Sequence, residues 1–110
     1  MRIVKVVGSV TLNVQDSSFD RANLKVVLPL NLDLANEQLV EEAESLVAWD
    51  ELNCGVGSIV VVSEGAEAAR PFFPQFKPVD VYIAALLDSI SLDWTAIREL
   101  TGSGVSAGAR

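Results

Sequence analysis

The strongest pattern in the chain is a short, unbroken β-branched run at residues 59–62, opened by Gly55, Gly57 and Ser58 and closed by Ser63, Glu64 and Gly65. An apolar run of that length between turn residues predicts a buried central strand. Residues 79–90 alternate instead. Val79, Val81, Ile83, Ala85 and Leu87 fall on one face, and Tyr82, Ala84, Leu86 and Ile90 on the other, between Asp80 and Asp88. One face of a small antiparallel barrel fills the core and the other ordinarily meets water. A second apolar face therefore requires a further cover, such as another subunit.

Upstream, residues 2–14 alternate loosely, with Gly8 where a barrel strand bends or bulges. Turn-forming residues fill 15–23, and a second strand follows from 24 to about 30. Pro29 cannot donate to a ladder and is expected at an edge or a bulge. Residues 31–44 fit either a hairpin arm or a helical turn or two begun by Asn36, and a hairpin excursion is the expectation. Residues 45–49 make the third strand. GAEAAR at 65–70 predicts one or two helical turns stopped by Pro71. SLDWTAIREL at 91–100 offers Ser91 or Asp93 as N-cap, with Trp94, Ile97 and Leu100 along one stripe. So short a helix must dock, on its own barrel or on a partner. The expected organisation is a barrel over 1–90, a short helix over 91–100 and a flexible tail over 101–110.

Composition narrows the function. At 110 residues, half of them hydrophobic, the chain suffices for one domain with a core. It has no apolar run of the ~18 residues a membrane span needs, and the N-terminus enters strand pattern without an apolar signal region, so the cytosol is expected. Fifteen acidic against eight basic residues give a net charge of −7. With no basic stripe, that argues against a nucleic-acid surface. The single cysteine, Cys54, fits a reducing compartment.

There is no histidine, which removes the Ser/His/Asp triad, the imidazole base and histidine metal ligands. Cys54 has no basic neighbour in sequence to activate it. Asp50 with Asp88 is the remaining acid–base pair, but at barrel loops such residues cap turns or accept backbone hydrogen bonds. The glycines around Val56 lack the Lys and Ser/Thr of a phosphate loop and open a strand where that chemistry needs a helix N-terminus. Glu37, Glu41, Glu42 and Glu44 read as a solvated acidic face. No catalytic residue, cofactor or metal ligand is expected. The aromatics point elsewhere: Trp49 is core or subunit contact, and Phe72, Phe73 and Phe76 plug a barrel end or bind a neighbour. With Tyr82 and Leu86 they form the candidate subunit interface.

The order of these motifs resembles the EutN/CcmL family, the pentameric vertex proteins of bacterial microcompartment shells, carboxysomes included. That family carries an Asp, an apolar residue with a Gly-Ala-Gly loop, an apolar strand, a Gly-Ser-(Ser/Ala)-Ala-Arg helical turn, and a Pro-(Val/Leu)-Asp strand ending in Asp. Here these read Asp50; Leu52, Asn53, Cys54 and Gly55; residues 59–62; GAEAAR to Arg70; Pro78, Val79 and Asp80; Leu87 and Asp88. MRIVKVVGSV at 1–10 is similar to the family's first strand and residues 24–28 to its second. In the family-motif loop of Asn53, Cys54, Gly55 and Gly57, Asn53 replaces the first glycine, and Asn best tolerates positive φ. Residues 31–46 are longer than the family's hairpin, and 91–110 have no counterpart.

The resemblance implies a mainly β fold: a small OB-like five-stranded barrel with one or two short helices, assembled as a cyclic homopentamer. It implies a structural ion pair for Arg70, for which the alternative is an exposed helix-end charge, and it implies no catalysis and no cofactor. It places the protein in a microcompartment shell in the bacterial cytoplasm beside hexameric and trimeric shell proteins, with neither nucleic acid nor membrane as partner. A fivefold ring among sixfold tiles supplies the curvature that closes a shell. The alternative is an OB-like binding module for an oligosaccharide, a peptide or single-stranded nucleic acid. Acidity and the lack of a basic, aromatic-studded strand surface speak against the last of these.

Overall fold

The computed structural model describes residues 1–12, 23–74 and 79–105. Its elements are β1 (Arg2–Val10), β2 (Leu24–Asp33), β3 (Gln38–Glu41), β4 (Leu46–Trp49), β5 (Ile59–Glu64), a 3₁₀ helix (Gly65–Phe72), β6 (Val81–Leu87) and α1 (Trp94–Val105). Five strands in the order β1-β5-β6-β4-β2 close on themselves, because β1 pairs with both β5 and β2. Closure leaves no free sheet edge around most of the barrel. β3 stands outside it as the second arm of a hairpin with β2.

The interior is filled by β-branched side chains, which suit a curved, pleated wall. Val4, Val6, Val27, Val60 and Val62 are fully buried and pack with Ile83, Ala48 and Cys54. The β1–β2 register shifts between Val6 and Gly8, so the glycine marks a bulge and β1 bends there. β1 ends at Val10, four residues short of the predicted stretch, and residues 13–14 lie outside those described.

β2 is longer than its pattern predicts because it changes partner. Leu24 to Val27 pair with β4, and Leu30 to Asp33 pair with β3. Pro29 lies in the gap between these ladders, where a residue without an N–H is tolerated. It occupies neither an edge nor a bulge on that side, and its carbonyl accepts the Glu42 N–H at 2.9 Å. The turn that follows is organised by Asp33, whose carboxylate accepts the backbone N–H groups of Ala35 and Asn36 and the Asn36 side-chain amide. The hairpin expected over 31–44 is thus present.

On the outer face lies a second apolar cluster. Leu24, Trp49, Ala68 and Val79 are buried there, with Val10, Phe72 and Tyr82 packed against them. Their cover is the chain's own 3₁₀ helix. Gly65 starts that helix at φ +66°, a conformation that favours glycine, and donates its N–H to the Asp80 carbonyl at 2.9 Å. Pro71 does not stop the helix but sits inside it, since proline's φ suits a tight helix and costs it one donor.

The β5–β6 ladder carries a bulge. Val62 faces Ile83, yet Val61 faces Ala85, so Ala84 is an extra residue in β6. Directly paired antiparallel residues share a face. Leu86, although opposite buried Val60, is nevertheless 50% exposed, while Ala85 and Leu87 are half-buried. Burial along the strand still follows the predicted grouping, with Ala85 and Leu87 less exposed than Ala84 and Leu86.

Candidate functional site

The loop after β4 is held by a buried carboxylate. Asp50 is 1% exposed; its side chain accepts the N–H groups of Leu52 at 2.9 Å and Cys54 at 2.7 Å. The Lys25 ammonium lies 4.0 Å away. Together these compensate the burial of a charge. Two residues of the loop take the left-handed conformation, Asn53 at φ +58° and Gly57 at φ +94°. Asn53 thus supplies the turn in place of a glycine. Gly57 donates to the Val6 carbonyl at 2.8 Å and Val6 donates to that of Ser58 at 2.9 Å, stitching the loop to β1. Gly55 has no positive φ and open space where a Cβ would stand, so backbone strain does not demand a glycine there. Burial raises the pKa of the Cys54 thiol, and Asp50 adds to the shift. The loop is a structural clamp built around Asp50. Among the described residues no three His, Cys, Asp or Glu side chains converge on a metal-sized site.

The candidate interface residues divide. Trp49 is 5% exposed inside its own protomer, packed in the cluster under the 3₁₀ helix. Its ring meets Phe72 edge-on at 4.9 Å, and Phe72 meets Tyr82 at 5.6 Å. Tyr82 also donates its hydroxyl to Glu51 at 2.9 Å. Burial raises the Tyr82 pKa, and the Glu51 hydrogen bond reinforces the shift. Phe72 and Tyr82 keep one half-exposed side each. Phe73, by contrast, is 85% exposed and Leu86 50%. Phe76 lies outside the described residues. Arg70 is exposed, and none of the ion pairs among the described residues includes it. The structural ion pair expected for Arg70 is therefore not made within the described part of the protomer.

One feature is invisible in the linear pattern. Ile3, Leu30, Leu32, Leu39 and Val61 line an apolar groove between the barrel wall and the hairpin, with Ile90 and Leu92 along its side and Glu42 among its polar lining. Its residues come from four strands and the segment after β6. The one local signal is the alternation of Leu28, Leu30 and Leu32 across the end of the predicted second strand and the start of the predicted excursion.

α1 begins at an Asp93 cap, whose carboxylate accepts the Ala96 N–H at 3.0 Å. It extends to Val105, into the stretch read as tail. Arg98 pairs with Glu37 and donates to the Leu34 carbonyl at 3.0 Å, so α1 is fastened to the hairpin turn. Leu100 is 77% exposed.

Residues 1–88 match the family model described as "Ethanolamine utilisation protein EutN/carboxysome". The chain is 31% identical over 93 residues to the carboxysome shell vertex protein CcmL of Synechococcus elongatus, covering 84% of this chain and 89% of that protein. It is 27% identical over 90 residues to the microcompartment shell vertex protein GrpN of Rhodospirillum rubrum, covering 82% and 96%. Among solved structures, the pentameric GrpN shell protein of R. rubrum aligns with a TM-score of 0.69 at 25% identity, over 84% of this chain and all of that one. CcmL of Gloeobacter violaceus aligns at 0.71 and 24% identity, over 84% and 91%.

Proposed function

Because this chain belongs to the EutN/CcmL family of microcompartment shell vertex proteins, we propose that it is a structural protein that forms homopentamers and caps shell vertices in the bacterial cytoplasm. The observation that carries the reading is the family match over the whole barrel, residues 1–88. The barrel itself supports it, because only part of its outer face is covered by its own 3₁₀ helix, and apolar side chains remain bare elsewhere. A closed ring of identical chains covers such surfaces by heterologous contacts.

Its work is mechanical. A pentamer among hexameric and trimeric tiles introduces the curvature that closes a polyhedral shell, and those tiles are its further partners. No catalytic step is assigned to it: the buried Asp50 is occupied with backbone N–H groups, and Cys54 is a buried thiol. Exposed Phe73 and Leu86, with the open sides of Phe72 and Tyr82, are its interface candidates. The family match favours this reading over the ligand-binding module.

The test is the native mass of the purified protein at modest salt, followed by co-expression with shell hexamers of the same bacterium. Five chains per particle, and closed shells only when the protein is present, are expected. A monomer at micromolar concentration refutes the proposal.

A further inference from the structure

We propose, resting on the pentamer reading above, that adjacent copies interlock by a specific pairing: Phe73 of one protomer enters the apolar groove of the next, and Arg70 pairs with Glu42 there. Two independent mismatches within one protomer point to it. The first is apolar. Phe73 ends the 3₁₀ helix and is 85% exposed, while its neighbour Phe72 is packed on Trp49 and Tyr82. The groove is the complementary surface, an apolar concavity lined by Ile3, Leu30, Leu32 and Val61, with no aromatic side chain among its described lining residues.

The second mismatch is in charge. Among the described residues, Arg2 pairs with Glu64, Lys5 with Glu41, Lys25 with Asp50 and Arg98 with Glu37. Arg70 is the described basic side chain without such a pair, and the last turn of the 3₁₀ helix ties it to Phe73 through the Phe73 N–H to Arg70 carbonyl bond at 3.1 Å. At the groove the imbalance is reversed. Arg2 is held there by two hydrogen bonds to Glu64 at 2.8 and 2.9 Å. Glu42 and the neighbouring Glu44, both close enough to act on Arg2, make no ion pair of their own among the described residues.

Each protomer thus carries a bare aromatic beside an uncommitted cation, and separately an apolar groove beside uncommitted carboxylates. Two different, mutually complementary surfaces on one chain are what a head-to-tail ring requires. The charge pair fixes register and the aromatic supplies the buried contact.

The test is a charge exchange read by native mass across a dilution series at low salt. Arg70→Glu and Glu42→Arg are each expected to raise the protomer concentration for half-assembly by about tenfold or more, and the double variant Arg70→Glu/Glu42→Arg to recover most of that loss. Phe73→Ser, at an exposed position, is expected to weaken assembly while circular dichroism shows an unchanged barrel. The pairing is overturned if the single variants assemble like the parent, or if the double exchange is no better than the singles. A parent chain that forms no pentamer overturns this pairing together with the reading it rests on; a pentamer indifferent to these substitutions overturns the pairing alone.

Discussion

Replacing Asp50 by Ala tests whether the loop clamp holds the barrel together. The substitution removes both acceptors from the Leu52 and Cys54 N–H groups and takes from Lys25, whose side chain is 12% exposed, its carboxylate at 4.0 Å. A hydrogen bond to a charged group contributes about 1.5–3 kcal/mol, and an orphaned buried donor costs about 1–3 kcal/mol. The Leu52 N–H is only partly buried and recovers water, and the lysine retains some solvent, so the sum is discounted to about 3–5 kcal/mol. Against a typical domain stability of about 5–15 kcal/mol, that is a large share. Urea unfolding at one fixed protein concentration, with native mass checked in parallel, separates loss of protomer stability from loss of assembly. Adding Lys25→Met to Asp50→Ala should recover about 1 kcal/mol or more by removing the stranded ammonium. A cost below about 1 kcal/mol for Asp50→Ala would refute the clamp.

Three further outcomes follow from the same geometry. Leu86→Asp leaves a folded barrel, because Leu86 is half exposed at the end of β6, but lowers the native mass if that end is in the ring; a fully assembled variant removes Leu86 from the interface. Asn53→Val forces a β-branched residue to φ +58° and should cost about 1–2 kcal/mol, while Asn53→Gly is neutral or slightly stabilising; equal melting temperatures for the two would sink the argument. Hydrogen bonds from Arg2 lower the Glu64 pKa from 4.5. The pair's contribution is thus present above 4.5 and lost as pH falls through the lower folded value. Both side chains are more than a third exposed or close to it, so the effect is modest. Across that window the unfolding midpoint should fall less with acid for Glu64→Gln than for the parent, and identical pH dependences would count against it.

Much of this protein was decided locally. Alternation and β-branching along residues 2–10, 24–28 and 59–62 specify the valine-lined interior, because a side chain two positions along returns to the same face whatever the rest of the chain does. The left-handed turn at Asn53 and Gly57 and the bend near Gly8 were legible for the same reason: they are properties of a few consecutive dihedrals. So was the need for a second cover over an apolar outer face.

What supplies that cover was a tertiary matter. The fold brings residues 65–72 back over Trp49 and Tyr82, so a tryptophan that reads as core or subunit contact packs in the protomer's own cluster. A single extra residue at Ala84 shifts the pairing of β6 against β5, and it is visible only once the two strands are in register. Pro29 looks like an edge signal until β2 exchanges β4 for β3 around it. The groove gathers residues from Met1 to Leu92. Periodicity fixes which way a side chain points relative to its neighbours in sequence, but the partner it meets depends on pairings far along the chain, and those are settled only when the barrel closes.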